Sequence, residues 1–599
     1  MSTEAPEVRL KRALWLSLVL CAVIVALVLV AVFFATRERI GPATTDLNDA
    51  APILSDRADP VVMPAFSDVT RLSGISFRHV NGATGERLLP ETMGGGVAFL
   101  DVENDGDQDL IFVNSKNWPW NESSTTDERS VLYVNRGDGS FNNRSSPILE
   151  RPLYGMGIAV GDFDGDGFVD VFLTAVGKNR LLRNMEGERF VDVTDSMQVG
   201  GSDNAWSTCA TFVDYDNDGD LDLFVCNYVE WSRERDQEVD YRLAGIGRAY
   251  GPPTDFAGTN SYLYRNDGDV FTDVTSSSGV EVFNDSTGNP VGKGLAVVVV
   301  DVNDDSWPDF VVANDTVRNF AFVNQGDGTF VEAGIELGIA FDTSGLATGA
   351  MGIDAAHYAN TSSVAIAIGN FSNEMSSFFV RPEGQNSFSD DAIVSGIGAP
   401  SRRALTFGLV FIDYDLDGRS DIFAANGHVE PEINRVQSSQ HYAQSPQIWW
   451  NCGSDCRRPY ISVEADADTW GRPLSGRGVA YADIDGDGDL DVVVSQVGDV
   501  PVLLRNDTES AGSWVRISLR QPPPNVYALG AKVVLKTNLE SQIRHVSPTR
   551  SYLSQVELPV TFGLGPSEEI IELSVHWPDG TVDSRQALET NKTHSISKH

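Results

Sequence analysis

One nine-residue pattern recurs along the chain and constrains its fold more than any other feature: acidic or Asn residues at positions 1, 3, 5 and 9, usually with Gly at 6. Its copies are Asp101, Glu103, Asp105 and Asp109; Asp162, Asp164, Asp166 and Asp170; Asp214, Asp216, Asp218 and Asp222; Asp301, Asn303, Asp305 and Asp309; Asp413, Asp415, Asp417 and Asp421; and Asp483, Asp485, Asp487 and Asp491. Alternate residues of a tight loop converge their side-chain oxygens. Glycine at position 6 permits the sharp turn, and the carbonyl at position 7 (Asp107, Phe168, Asp220, Arg419, Asp489) can point inward. This is the donor set of Ca2+, a hard cation that takes about six to eight oxygens from carboxylates, a backbone carbonyl and water. A metal-free acidic turn would not explain the repeated register, and carboxylates crowded into one loop repel unless a cation lies among them. The five loops with glycine are therefore expected to bind calcium. The Asp301 loop, with Ser306 for glycine and Asn303 for a carboxylate, is a poorer sixth.

A worn seventh copy starts at Asp354 and has lost the ligands at positions 3 and 5, so it is expected to bind nothing. His357 within it reads as a surface or packing residue, because no second His or Cys stands at ligand spacing. Substituting Asp354 should accordingly cost much less than substituting Asp164.

A hydrophobic strand precedes each acidic loop (97–100, 158–160, 295–300) and another follows it (110–113, 171–173, 492–494), so the loop joins two antiparallel strands. A third strand ending in Asn and a fourth built on Phe complete each unit, as in Leu132, Tyr133, Asn135, Phe141 and Leu263, Tyr264, Asn266, Phe271. Seven such units without helical periodicity predict an all-β fold, a seven-bladed β-propeller over 65–511. Phe66, Asp68, Val69 and Thr70 repeat the fourth-strand text of Phe190, Asp192, Val193 and Thr194 yet precede the first loop. They are expected to complete the last blade and leave no open edge.

The formal charge, 44 − 85 = −41, repels polyphosphate and argues against nucleic-acid binding. Residues 13–35 are 23 uncharged, almost wholly apolar positions, a helix of roughly 35 Å against a hydrocarbon core of about 30 Å. They read as a single-pass transmembrane anchor with a cytoplasmic tail at 1–12 and a Pro-containing stalk at 36–64; a cleaved signal peptide is the main rival. The bulk of the chain is then periplasmic or extracellular. Cys209 with Cys226, and Cys452 with Cys456, are candidate pairs, each compatible with a disulfide or with free thiols. Eight Asn-x-Ser/Thr sequons, Asn143 and Asn370 among them, matter only in a host that glycosylates.

Residues 65–599 resemble the integrin-type FG-GAP (VCBS) repeat and, more closely, the cartilage acidic protein and ASPIC/UnbV family. The resemblance is carried by Leu89-Pro90-Glu91-Thr92-Met93-Gly94-Gly95-Gly96, Ala425-Asn426-Gly427-His428-Val429, Ser551-Tyr552-Leu553-Ser554-Gln555, Phe562-Gly563-Leu564-Gly565 and Trp577-Pro578-Asp579-Gly580. It implies calcium in the loops and an adhesive or matrix-type role, and transfers no catalytic residue. Residues 512–599 alternate in character and lack the acidic repeat, which predicts a small β domain. Its motif Arg550, Ser551, Tyr552, Ser554, Gln555 reads as a binding edge or, preferably, a conformationally demanding turn.

The strand 2 to 3 insertions should emerge opposite the acidic loops. They carry Trp118 and Trp120; Trp231, Tyr241 and Tyr250; and His428, Glu430, His441 and Tyr442. Long aromatic-bearing loops on a rigid scaffold suit recognition of a protein or glycan partner, the alternative being a lid in which they pack on one another. GxSxG, HExxH and a P-loop are all missing from the sequence. The competing enzyme reading is a polysaccharide lyase or hydrolase using His428 with Glu430, or His441 with Tyr442, as acid and base.

Overall fold

The computed structural model describes residues 61–121, 128–144, 146–453, 456–509, 512–565 and 569–598. Strands dominate it, and each unit predicted from the repeat holds antiparallel strands of which, except in the fifth unit, the first and second flank the acidic loop. In the second unit, Gly155–Gly161 pairs with Asp170–Ala175, that strand with Arg180–Met185, and the last with Arg189–Asp192. The first strands of successive sheets pack side by side, and Gly476–Ala482 of the seventh packs back on Val97–Leu100 of the first. These inner strands are small and apolar, Gly-Met-Gly-Ile-Ala-Val-Gly in the second sheet, and buried throughout. Only such residues let backbones approach this closely: a Cβ at Gly157 would lie 2.6 Å from the Thr208 carbonyl oxygen of the next sheet. The arrangement is all-β and propeller-like.

The predicted closing strand is present. Phe66–Asp68 pairs antiparallel with Val502–Asn506, in register Phe66 to Asn506, and so supplies the fourth strand of the last sheet. Both candidate cysteine pairs are disulfides, Cys209–Cys226 and Cys452–Cys456.

The fifth unit corrects the expectation for Asp354. That residue does not open a loop; it lies inside the strand Ala350–Ala356, paired with Ala367. The true loop is 357–363, one residue shorter than the eight of 101–108. Asp354 is instead a buried anchor, its Oδ1 2.6 Å from Arg550 Nη1 and its Oδ2 accepting the Phe411 N–H at 2.7 Å. A carboxylate this deep is held by an ion pair and backbone donors rather than by water.

After the last sheet the chain forms two more. Trp514–Arg520 lies between Val560–Gly563 and Lys592–Ser597, and Lys532–Thr537 lies between Ser541–His545 and Ile570–His576. Val515, Ile517, Val533, Leu535, Phe562, Leu573 and Trp577 pack between them. From this module the segment 549–555 reaches among the first strands of the sheets. Gln555 pairs with Ala98, Ser551 bridges to Ile353, and the Ile158 N–H donates to the Leu553 carbonyl. Ser551 Oγ accepts the Leu409 and Val479 N–H groups, and Thr549 Oγ1 bonds Thr211 Oγ1. The motif is thus a demanding turn, with φ +66° at Ser551 and +56° at Leu553, and its demand is that it bonds to the first strands of several sheets at once.

The expected membrane anchor does not stand. Among the described residues no helix is long and apolar enough to cross a membrane, because the apolar residues are spent on buried strands and the longest helix, Arg233–Val239, has seven residues. Residues 13–35 lie outside the described residues.

Candidate metal centres and ligand face

The acidic loops share most of their bonds. In the Asp101, Asp162, Asp301 and Asp413 loops the position 1 carboxylate accepts backbone N–H groups from positions 5 and 6, as Asp162 does from Asp166 at 3.1 Å and Gly167 at 2.8 Å, whereas Asp214 accepts that of Gly219 and Asp483 that of Gly486. The position 5 carboxylate accepts the N–H of position 7, as Asp166 does from Phe168 at 3.0 Å. Position 9 opens the second strand and is buried: Asp109 accepts the Val102 N–H on Oδ2 and the Asn135 N–H on Oδ1, both at 2.9 Å. The same two bonds recur at Asp170, Asp222, Asp309, Asp421 and Asp491.

The Asn that ends the third strand, read from sequence only as that strand's last residue, has a larger part. Its Nδ2 crosses to a carbonyl in the preceding sheet's loop: Asn184 to Val102 at 2.9 Å, Asn266 to Phe163 at 2.8 Å, Asn324 to Tyr215 at 2.7 Å, Asn451 to Tyr358 at 2.9 Å and Asn506 to Tyr414 at 2.8 Å. Asn135 reaches the Ile484 carbonyl at 2.8 Å and so ties the first sheet to the seventh. Between the fifth and fourth sheets the buried Arg381 takes this place, paired with Asp304 at 2.5 and 2.7 Å. The repetition of the Asn at one register was the signal that could have revealed the staple.

In four loops three carboxylates bring oxygens within 4.8 Å of one another: Asp162, Asp164 and Asp170; Asp214, Asp216 and Asp218; Asp413, Asp415 and Asp421; Asp483, Asp485 and Asp491. Asp214 Oδ1, Asp216 Oδ1, Asp485 Oδ1 and Asp489 Oδ1 are buried with no hydrogen-bond partner among the described residues. Burial first and neighbouring carboxylates next push Asp162 and Asp214 up to about 7 and Asp489 up to about 10. Converging, unpartnered carboxylate oxygens that resist ionisation fit a hard divalent cation. Two loops gather less tightly. Glu103 pairs with Arg144 at 2.9 Å, and Asn303 donates to Asp305 Oδ2 at 2.7 Å, spending donor oxygens within the chain.

The carboxyl-terminal module meets this loop face. Tyr527 OH bonds Asn104 Oδ1 at 2.7 Å and the Gly167 carbonyl at 2.9 Å; Asn360 Nδ2 bonds Glu540 at 2.8 Å; Asp483 lies 3.6 Å from the buried Arg516. It also brings His545 Nε2 to 3.3 Å from His357 Nε2, a partner 188 residues away that local spacing hides. Burial lowers both imidazoles, His357 to about 4, and the cationic Lys532 and Arg544 beside them disfavour a metal there.

Several predicted ligand-face residues come together. Trp118 stacks on Trp120 at 5.1 Å, on Trp231 at 5.2 Å and on Tyr154 at 4.1 Å. Trp118 Nε1 and Tyr250 OH donate to the two oxygens of Glu91 at 3.0 and 3.3 Å, and Arg233 lies 4.4 Å over Trp120. Burial pushes Glu91 up to about 7 despite these donors. Glu430 pairs with Arg87 at 3.3 Å, beneath which Tyr250 lies. His428 is buried; its Nδ1 accepts the Glu430 backbone N–H at 3.0 Å, and burial with Arg477 lowers it to about 4. It is wedged into the wall rather than turned to a substrate. His441 is exposed and Tyr241 half-buried; Tyr442 holds the His428 N–H through its carbonyl at 2.8 Å.

Sheets of four strands strung on acidic loops, with a β module set on the loop face, define a propeller-like repeat protein. Residues 101–173 and 162–225 match the FG-GAP-like repeat, and residues 521–599 match ASPIC and UnbV. The chain is similar to cartilage acidic protein 1 of Xenopus tropicalis, 25% identical over 523 residues covering 84% of this chain and 72% of that protein, and to its Homo sapiens counterpart, 24% identical over 522 residues covering 83% and 70%. The resemblance read from the sequence therefore holds, and the membrane localisation, which no described helix supports, is withdrawn. Among solved structures it overlaps an Agrocybe aegerita lectin described as recognising non-reducing terminal N-acetylglucosamine (14% identity, TM-score 0.39, 63% of this chain and 87% of that one). It also overlaps YCF48 from Cyanidioschyzon merolae (11% identity, TM-score 0.38, 69% and 95%).

Proposed function

We propose that the chain is a closed seven-bladed propeller whose acidic loops hold calcium as a structural ion, and that it serves outside the cytoplasm as a recognition or adhesion scaffold for a protein or glycan. The observation that carries the reading is the convergence of three carboxylates within 4.8 Å in four separate loops, at positions 1, 3 and 9 in three of them and at positions 1, 3 and 5 in the Asp214 loop. Asp162, Asp164, Asp170 and their counterparts would hold the ions, with Phe168 and the other position 7 residues supplying carbonyls. The Asp101 and Asp301 loops, whose carboxylates do not form one of these clusters, would be the weaker sites. An ion that binds only the folded state stabilises it by mass action, so calcium would act through the scaffold and not through turnover.

Calcium measured on the purified chain after exhaustive dialysis is expected at four or more per molecule, with chelation lowering the melting temperature steeply. Two or fewer ions, or a melting curve unmoved by chelator, overturns the metal reading. Retention of the chain on immobilised extracellular protein and glycan fractions, with and without calcium, tests the recognition half separately.

A further inference from the structure

In the four tightest loops the converging carboxylates come from positions 1, 3, 5 and 9, whereas the carboxyl-terminal module touches the loops chiefly at the positions between. At position 4, Asn104 Oδ1 lies 2.7 Å from Tyr527 OH and 3.0 Å from Arg520 Nη2, and the Leu416 carbonyl accepts the Gly565 N–H at 2.9 Å. At position 6, the Gly167 carbonyl lies 2.9 Å from Tyr527 OH, and that of Gly418 accepts from Arg544 Nη2 at 3.4 Å. Position 6 of two further loops abuts the module as well, since a Cβ on Gly219 would come within 3.4 Å of Pro524 and one on Gly488 would run into Trp514.

The same two positions carry the conformation of the loop. In all six loops position 4 has positive φ, +58° at Asn104 and Asn217, +62° at Asp304, +55° at Leu416, +68° at Gly165 and +78° at Gly486, and position 6 runs from +72° at Ser306 to +98° at Gly106. A residue with a side chain, leucine above all, disfavours this region, so the shape persists where its surroundings enforce it. Without a cation the crowded carboxylates push the loop open from within. An ion inside and the module outside therefore select one and the same shape, and two ligands that select one state favour each other's binding. Arg516 works against this at one loop, its Nη1 3.6 Å from Asp483 Oδ2, but it is already paired with Glu557, whose Oε2 accepts the Asp483 N–H at 3.3 Å and so fastens the loop to the module.

We propose that calcium in the acidic loops is the latch of the carboxyl-terminal module: loaded loops hold the module, and loss of the ions frees it from the loops before the sheets unfold. The proposal rests on the calcium reading above and adds what the ion regulates.

Hydrogen exchange on the full chain, with calcium and with chelator, at a temperature below the melting point of the chelated chain, tests it. In chelator, exchange across 521–530 and at the Gly565 amide should rise at least tenfold while the buried strand Gly155–Gly161 stays protected. The reciprocal measurement is calcium affinity, read by competition with a chromophoric chelator. Tyr527→Phe keeps the ring, removes no ligand and deletes only the hydroxyl, and it should weaken calcium about twofold to fivefold, the range for one lost hydrogen bond. A chain that binds calcium but whose two segments stay protected in chelator, or open only together with Gly155–Gly161, overturns the latch and leaves the calcium reading standing. A Tyr527→Phe variant that binds calcium as tightly as wild type does the same. A chain that binds no calcium overturns both.

Discussion

Asp354→Ala tests whether the segment 549–555 holds the sheets together. Asp354 has a side chain 0% exposed and Arg550 one 13% exposed, and they meet at 2.6 Å. Burial pushes the Asp354 carboxyl up while Arg550 draws it down again. Deleting the carboxylate strands the guanidinium with only the Ala355 carbonyl at 3.2 Å and the Ser547 carbonyl at 3.3 Å, and it leaves the Phe411 N–H without its acceptor. Removing one partner of a buried pair costs about 3–5 kcal/mol. Asp354→Asn, which keeps an acceptor for Phe411 but not the charge, should fall between wild type and Ala. Urea unfolding followed by tryptophan fluorescence at saturating calcium measures each variant. In the cycle with Arg550→Ala the coupling should be about 1–3 kcal/mol, because neither charge is then left alone in the double variant. A cost below about 1 kcal/mol for Asp354→Ala, the range of an ordinary surface substitution, would refute the reasoning.

Other outcomes follow from the same geometry. Glu91 is raised to about 7 from an ordinary 4.5, so the folded state retains a proton that the unfolded state releases; this stabilisation is complete below about pH 4.5 and lost as pH rises through 7. Glu91→Gln should flatten that slope in melting curves recorded at saturating calcium, where the loop carboxylates stay ionised. The Cys209–Cys226 bridge closes a 17-residue separation, and reducing it should cost about 3 kcal/mol, read as a shift in urea midpoint with and without reductant. Gly488 has φ +96°, and a Cβ there would lie 1.8 Å from Trp514 Cε2. Gly488→Ala should therefore lift the carboxyl-terminal module locally, at about 1–3 kcal/mol, and expose the segment before Trp514 to limited proteolysis.

The loops and the closing strand were legible because their information is local and repeated: a nine-residue register, and the Phe-x-Asp-Val-Thr text found once too often at Phe66. Asp354 misled the reading because an Asp preceded by apolar residues looks the same whether it starts a loop or sits three residues inside a strand, and the deciding partner, Arg550, is 196 residues away. The docking of the carboxyl-terminal module was hidden for the same reason. Its contacts, Tyr527 to Asn104 and His545 to His357, join positions 423 and 188 residues apart, and each residue has an ordinary local explanation. Glu91 lay in a motif noted for resemblance, and nothing in its neighbours announced that Trp118 and Tyr250 would enclose it.

The pairing of Phe66–Asp68 with Val502–Asn506 also sets a schedule for making the protein. The Ala65 N–H finds its acceptor, Thr508 Oγ1, 443 residues downstream. At about 5–20 residues per second that partner leaves the ribosome some 20–90 s after the first strand does. For this interval the opening strand is an orphaned edge, with Phe66 later 2% exposed but not yet covered, and free to pair with whatever strand comes near. Every nascent chain shorter than 506 residues carries that edge, and the segment at 549–555 arrives later still. Termination before the strand Val502–Asn506 is made therefore yields a product with an orphaned, sticky first strand rather than a smaller working one, and quality control has a single late event by which to distinguish the two.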